Sequence, residues 1–226
     1  MIPKACMTVL FVLLLAQAHA NTEKVIFVSP PAASITTSGP SFEQLHLPSI
    51  TPKKSSLRLS LPAAFPSEKQ PRGLDTWYML RNLNPSQRYE VRVCWAATQP
   101  TNFWLDVYNT SHVFDTPDLI QSLATFSEAQ QTDERTQSTG SGAPKESLLF
   151  LHVQASADFF STNRTLMSSP PAVDVELILD PYLANAVPRS LLPTAVYVVA
   201  LAVGSWILSG MIWKRLFSST NKPHTD

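Results

Sequence analysis

Residues 83–97 read Leu83-Asn84-Pro85-Ser86-Gln87-Arg88-Tyr89-Glu90-Val91-Arg92-Val93-Cys94-Trp95-Ala96-Ala97, and the fold class turns on their alternation. Tyr89, Val91, Val93 and Trp95 fall on one side, while Glu90, Arg92 and Cys94 fall on the other. Side chains of an extended chain point alternately to opposite faces, so Tyr89–Ala97 is predicted to be a strand with one buried face. Gln99-Pro100-Thr101-Asn102 interrupts it with turn-forming residues, and Phe103–Tyr108 resumes as a second strand. The two make an antiparallel hairpin whose loop is longer than two residues.

Leu83-Asn84-Pro85 followed by Tyr89 resembles the entry to a strand in fibronectin type III sandwiches, where a tyrosine hydroxyl bonds back to the upstream backbone. Leu83, Pro85 and Tyr89 are therefore the candidate structural corner. The physical need is a polar group that enters an apolar corner and must still find a partner.

Other alternating runs extend the pattern. Val25–Val28, Leu57-Arg58-Leu59-Ser60-Leu61, Asp75–Leu80, Leu148–Gln154 and Val173–Leu179 are further strand candidates, with Trp77 and Tyr78 on opposite faces of theirs. Pro30–Pro52 is rich in Pro, Ser and Thr and reads as an irregular connection. Thr116-Pro117-Asp118 carries an N-cap, a first-turn proline and an acid, which start a short helix with Leu119, Ile120 and Leu123 as its buried stripe. Residues 127–147 are polar and are expected to form a mobile loop. About seven short strands with one helix predict a mainly β domain, an antiparallel β-sandwich.

Two apolar segments flank this domain. Lys4, the run Val9–Ala16 and then Ala18-His19-Ala20 have the order of a signal peptide, with cleavage between Ala20 and Asn21. Leu191–Trp213 carries no charge and is long enough to cross a bilayer as a helix, with Lys214 and Arg215 directly after it. The positive flank assigns the C-terminal tail to the cytosol, giving a single-pass type I protein. The expected organisation is a signal peptide at 1–20, a lumenal domain at 21–190 with a proline-bearing stalk at 180–190, a transmembrane helix at 191–213 and a tail at 214–226. Ala200 and Gly204, four residues apart, let a neighbouring helix approach closely.

Composition limits the chemistry. Lys+Arg and Asp+Glu both number 17, so there is no basic excess to hold a nucleic-acid backbone. The six glycines are scattered and form no phosphate-cradling loop, and the five histidines lack metal-ligand spacing. No catalytic residue, metal ligand or cofactor is expected. Removal of the leader takes Cys6 with it and leaves Cys94, read as a small buried hydrophobe, with an intermolecular disulfide as the alternative. Asn109-Thr110-Ser111 and Asn163-Arg164-Thr165 are glycosylation sequons at strand ends. Asp174 and Glu176 share a face and read as solvated acids. Trp104, Asp106 and Tyr108 share the face opposite Phe103 and Leu105, a mixed surface that packs a second sheet face, docks a partner or stacks on a sugar.

The stretch from Asp75 to Tyr108, DTWYMLRNLNPSQRYEVRVCWAATQPTNFWLDVY, with the following FDTPDLIQSL, resembles the fungal GPI mannosyltransferase II co-activator family. The order of leader, lumenal domain, single span and short tail fits the same family. The resemblance implies a non-catalytic accessory subunit in the endoplasmic reticulum membrane. Its implied partner is a multi-spanning mannosyltransferase that adds the second mannose of the GPI anchor. The competing reading from the sandwich alone is a fibronectin-like single-pass receptor, adhesion or cargo-binding protein.

Overall fold

The computed structural model describes residues 20–31, 45–133 and 147–218. Its first compact unit, ending at Pro181, is built from two sheets. The strands are β1 (Ala20–Val28), β2 (Ser49–Ile50), β3 (Ser56–Leu61), β4 (Leu74–Leu80), β5 (Arg88–Ala96), β6 (Thr101–Asn109), β7 (Leu149–Ala157) and β8 (Val173–Leu183). One sheet has the order β1-β5-β8-β3 and the other β2-β4-β7-β6, so β5 and β6, expected to pair as a hairpin, fall in different sheets and meet across the core, where Trp95 packs edge-on against Phe103. All named pairs are antiparallel except the short β2–β4 contact.

Alternation places the core. Tyr89, Val91, Val93 and Trp95 of β5, with Val173, Val175, Leu177 and Leu179 of β8 beside them, face Phe103 and Leu105 of β6 and the odd-numbered residues Leu149–Ala157 of β7. Tyr78 of β4 lies in the same layer, and its burial pushes the hydroxyl pKa up to about 12. Tyr89 enters this layer fully buried. The Asn84 N–H donates to its hydroxyl at 2.9 Å, and the hydroxyl donates to Gln87 Oε1 at 3.0 Å. Leu83 is buried beneath that turn and Pro85 is exposed on it. At the start of β4, Gly73 has φ +77°, and a Cβ there would stand 2.0 Å from the Ala155 carbonyl oxygen, so no side chain fits between β4 and β7.

A second apolar layer lies on the outside of the β2-β4-β7-β6 sheet. Two helices, α1 (Thr110–Asp115) and α2 (Pro117–Asp133), follow β6. They bring Val113, Leu123, Leu119 and Phe126 onto Trp77, Met79 and Phe150. Ile120, expected in the buried stripe of α2, is 37% exposed, and Phe126 completes the stripe instead. The helix also runs on through Asp133, so residues 127–133 are helical and not part of a loop. Their Glu, Ala and Gln are good helix formers, and Ser127 Oγ donates to the Leu45 carbonyl at 2.9 Å. Residues 134–146 of the expected loop lie outside the described residues, as does the expected signal peptide up to residue 19.

Residues 180–190, expected to be a stalk, are folded. Asp180 and Pro181 belong to β8, and Pro181 is the register partner of Tyr89. In the second compact unit, Tyr182 and Leu183 pair with Pro188 and Val187 of β9 (Val187–Pro188). Ala184 and Asn185, at φ 48° and 56°, are left-handed in the three-residue turn between them, which the Ala186 N–H closes on the Leu183 carbonyl. The prolines are tolerated because they sit at strand ends. After a 3₁₀ turn at Arg189–Leu191, α4 runs from Leu192 to Ser218. Its 27 residues extend for about 40 Å. It is the one described helix long and apolar enough to cross a membrane. Lys214 and Arg215, expected to begin the tail, continue it as helix.

Candidate functional site

Each sheet carries a polar constellation on its outer face. On the helix-covered sheet, register aligns Asp75, Gln154 and Trp104 in one cross-strand row and Trp77, His152 and Asp106 in the next. Asp75 is the hub. Its Oδ1 accepts from Gln154 Nε2 at 2.9 Å and its Oδ2 accepts from Ser122 Oγ, on α2, at 2.7 Å. Trp77 Nε1 donates to Ser122 Oγ at 3.0 Å. His152 Nε2 lies 3.1 Å from Asp75 Oδ1 at ion-pair distance, but its N–H direction is too oblique for an aligned hydrogen bond. The imidazole stacks on Trp77 with ring centroids 4.3 Å apart. Contact with His152 is the largest influence on Asp75, and the bonds from Ser122 and Gln154 act in the same direction. Together they outweigh burial and bring its carboxyl down to about 2.

Serine, aspartate and histidine meet here in an order unsuited to nucleophilic catalysis. A relay needs histidine between the serine and the carboxylate, whereas Ser122 and His152 both approach Asp75. The carboxylate acts as a clamp that ties α2 to β4. Beyond the helix, β6 leaves an open margin. Arg72 Nη1 donates to Gln154 Oε1 at 3.4 Å and lies 3.7 Å from Asp106 Oδ2, while its guanidinium carbon stands 5.7 Å from the centre of the Trp104 ring. Tyr108 turns the other way, into the layer under the helices, and lies 5.3 Å from the His112 ring. The mixed face of β6 is thus divided between packing at Tyr108 and a half-exposed margin at Trp104 and Asp106.

The outer face of the β1-β5-β8-β3 sheet is charged. Glu90 and Asp180 face each other across β5 and β8 and are 3% and 5% exposed. Arg92 lies between them, with Nε 3.7 Å from Glu90 and Nη2 3.7 Å from Asp180, and Lys24 Nζ reaches Glu90 at 3.4 Å. Further along β8, Glu176 Oε1 accepts from Ser56 Oγ at 2.5 Å and lies 3.5 Å from Arg58 Nε. The Ser56 bond, helped by Arg58, lowers the Glu176 pKa against a desolvation that opposes it. Cys94 belongs to this face. It is half-buried, with Thr22 Oγ1 3.6 Å from its sulfur, and is not the core hydrophobe expected from its sequence setting. The reason is its even position in β5, which points it away from the interior. Among the described residues no three of His, Cys, Asp and Glu gather to hold a metal ion.

The candidate site residues fall in separate places. Ala20 opens β1 as the register partner of Ala96, and Asn21 follows it opposite Trp95. Asn109 ends β6 and stands exposed at the N-cap of α1. Asn163 is exposed ahead of a short helix, α3 (Arg164–Ser168), and its Oδ1 accepts from the Thr165 N–H at 3.0 Å. Asn109 pairs with Leu149 at the start of β7, whereas Asn163 follows the far end of that strand. The two sequons are therefore at opposite ends of the sandwich. Ala200 and Gly204 lie exposed on α4, where a Cβ at Gly204 would meet nothing within 4 Å. The Asp75 clamp and the Glu90–Arg92–Asp180 group depend on strand order and escaped sequence reasoning. Their one visible trace was the polar side of Tyr89–Ala97.

A GPI mannosyltransferase 2 subunit of Schizosaccharomyces pombe is 25% identical to this chain over 119 residues, covering 53% of this chain and 45% of that protein. The chain therefore aligns with less than half the length of this relative. No solved structure matches. Residues 11–211 match the family described as GPI-mannosyltransferase II co-activator, a span that takes in the sandwich and most of α4. This chain belongs to the GPI-mannosyltransferase II co-activator family.

Proposed function

We propose that this protein is an accessory subunit of a GPI mannosyltransferase in the endoplasmic reticulum membrane, where it supports addition of the second mannose without performing the transfer. The observation that carries this reading is the family match across residues 11–211. The arrangement of the polar groups supports it: Asp75 ties a helix to a strand, and Glu90 and Asp180 are held by Arg92 and Lys24. In this reading the leader is cleaved between Ala20 and Asn21, leaving β1 at the mature N-terminus. The sandwich lies in the lumen, α4 crosses the bilayer, and the tail after residue 213 begins at the cytosolic boundary. The partner is a multi-spanning mannosyltransferase. It packs its helices against Ala200 and Gly204, where the absence of large side chains lets two backbones approach.

Depletion of the protein is expected to accumulate a GPI precursor bearing one mannose. Replacing both Ala200 and Gly204 by Leu should weaken co-purification of the transferase in mild detergent by tenfold or so, since an added ~1.4 kcal/mol of mispacking suffices. Normal GPI precursors on depletion, with a surface-binding defect instead, would overturn the reading in favour of a receptor.

A further inference from the structure

Among its described residues, the sandwich exposes one aromatic far more than any other. Phe160 is 85% exposed, on the connection that follows β7. Its neighbour Phe159 turns inward and packs edge-on against Phe65, with ring centroids 5.2 Å apart. Phe159 also lines an apolar cavity of about 330 Å³ with Ala63, Pro100, Leu166 and Val173. The chain thus spends one phenylalanine on packing and leaves the next in water. Exposing so large an apolar side chain calls for an explanation when a second apolar residue, Leu166, is 38% exposed nearby in sequence.

Both flank a sequon. Phe160 precedes Asn163 by three positions and Leu166 follows it by three. The intervening turn is built: the Asn163 N–H donates to Ser161 Oγ at 3.1 Å, the Ser161 N–H to Met167 Sδ at 3.3 Å, and the Met167 N–H to the Asn163 carbonyl at 3.3 Å. Asn163 Oδ1 is engaged by the Thr165 N–H, which leaves the amide nitrogen Nδ2 as the outward, reactive end of the side chain. We infer that an N-linked glycan on Asn163 packs its innermost N-acetylglucosamine over Phe160 and Leu166. The glycan then acts as the missing cover of this end of the sandwich. A pyranose presents an apolar face of axial C–H groups that stacks on an aromatic ring, so the occupant matches the ring it covers. In the modification, the bond from Asn163 Nδ2 to C1 of the sugar forms as the C1–O bond to a lipid diphosphate donor breaks. The amide proton leaves, and the lipid diphosphate departs with the bonding electrons. Asn109 has no comparable setting: it stands at the N-cap position of α1 with no side-chain bond to the helix, and its neighbour Tyr108 is turned into the layer under the helices.

The inference rests on the lumenal placement proposed above, and the experiment separates the two. The full chain is made in glycosylating microsomes and its stability read by pulse proteolysis, untreated, after trimming to a single N-acetylglucosamine, and after complete glycan removal. Trimming to one sugar should leave resistance unchanged. Complete removal should raise the fraction cleaved about fivefold, because proteolysis follows the population of opened molecules. Phe160→Ala should abolish that difference. Thr165→Ala, which destroys the sequon while keeping the Asn163–backbone bond, should reproduce complete removal. Removing the Asn109 glycan should change nothing. A glycan on Asn109 with none on Asn163, or a glycan on Asn163 whose removal is equally tolerated with Phe160 present or absent, overturns the inference alone. Chains glycosylated at neither position overturn it together with the lumenal placement.

Discussion

The two outer faces of the sandwich solve the same problem in opposite ways. On the β2-β4-β7-β6 sheet, Trp77 and Met79 of β4 and Phe150 of β7 point outward, and α1 and α2 cover them with Val113, Leu119, Leu123 and Phe126. On the β1-β5-β8-β3 sheet, the outward residues include Thr22, Lys24, Glu90, Arg92, Cys94, Glu176 and Asp180, joined by ion pairs and hydrogen bonds, beside the exposed Ile26 and Val28. The first face is stabilised by removing apolar surface from water, the second by pairing charges. A strand covered on both faces is buried along its length, whereas one with a solvated outer face alternates in burial. That contrast shows in the strands themselves: β7 is buried along almost its whole length, and β5 loses burial at Arg92 and Cys94.

Truncating a central ring on the covered face should produce the largest effect. Trp77 is fully buried, stacked on His152 and edge-on to Phe150, with its N–H bonded to Ser122. Trp77→Ala should cost about 3–5 kcal/mol, from lost contact and a cavity beneath α2. Pulse proteolysis of the full chain in membranes reads it. A loss below about 1 kcal/mol would mean that the helices do not depend on this ring.

On the charged face the largest effect should come from Arg92. Removing it as Arg92→Met keeps most of its stem but leaves Glu90 and Asp180 opposite each other with less cation between them. The expected loss is about 2–3 kcal/mol, because a buried carboxylate that loses a cationic neighbour is costly. Adding Glu90→Gln to the Arg92→Met chain should recover part of it. A double variant no better than the single one would show that repulsion between the acids is not the cause.

The same contrast explains what could be read from residues alone. The period-two strands β3, β5 and β8 were legible because one side of each is polar, and the sandwich class followed from them. β7 was recognisable as a strand, but its apolar start Leu148–Leu151 does not say what covers its second face, so the packing of α2 on Phe150 was not foreseen. Residues 127–133 misled for a related reason: they form the end of a helix whose exposed side is polar, and polar composition alone resembles a loop. The Asp75 clamp draws on β4, β7 and α2, and the Glu90–Asp180 contact requires β8 beside β5. Such sites are set by strand order, which no local pattern encodes. Family membership, by contrast, was legible in the block from Asp75 to Tyr108, which falls within the matched residues.

Acid titration tests the two faces against each other with smaller effects. Asp75 on the covered face and Glu176 on the charged face both have lowered pKa values, Asp75 from 3.8 to about 2. A group whose folded value lies below its unfolded value contributes stability above the unfolded value and loses it as pH falls through the folded one. The contribution of Asp75 should therefore fade between about pH 4 and pH 2. Its side chain is 32% exposed, so screening reduces the full linkage value to about 1 kcal/mol. Glu176 follows the same sign through its Ser56 bond, but it sits on an open face where solvent screens it and Arg58, so its share should be the smaller of the two. Asp75→Asn should flatten the acid limb of the stability curve, whatever its effect at neutral pH, since the slope reports only the titrating group. Glu176→Gln should leave that limb nearly unchanged. The reverse pattern, a limb that persists in Asp75→Asn and disappears in Glu176→Gln, would place the acid-sensitive contact on the β3–β8 face and not beneath α2.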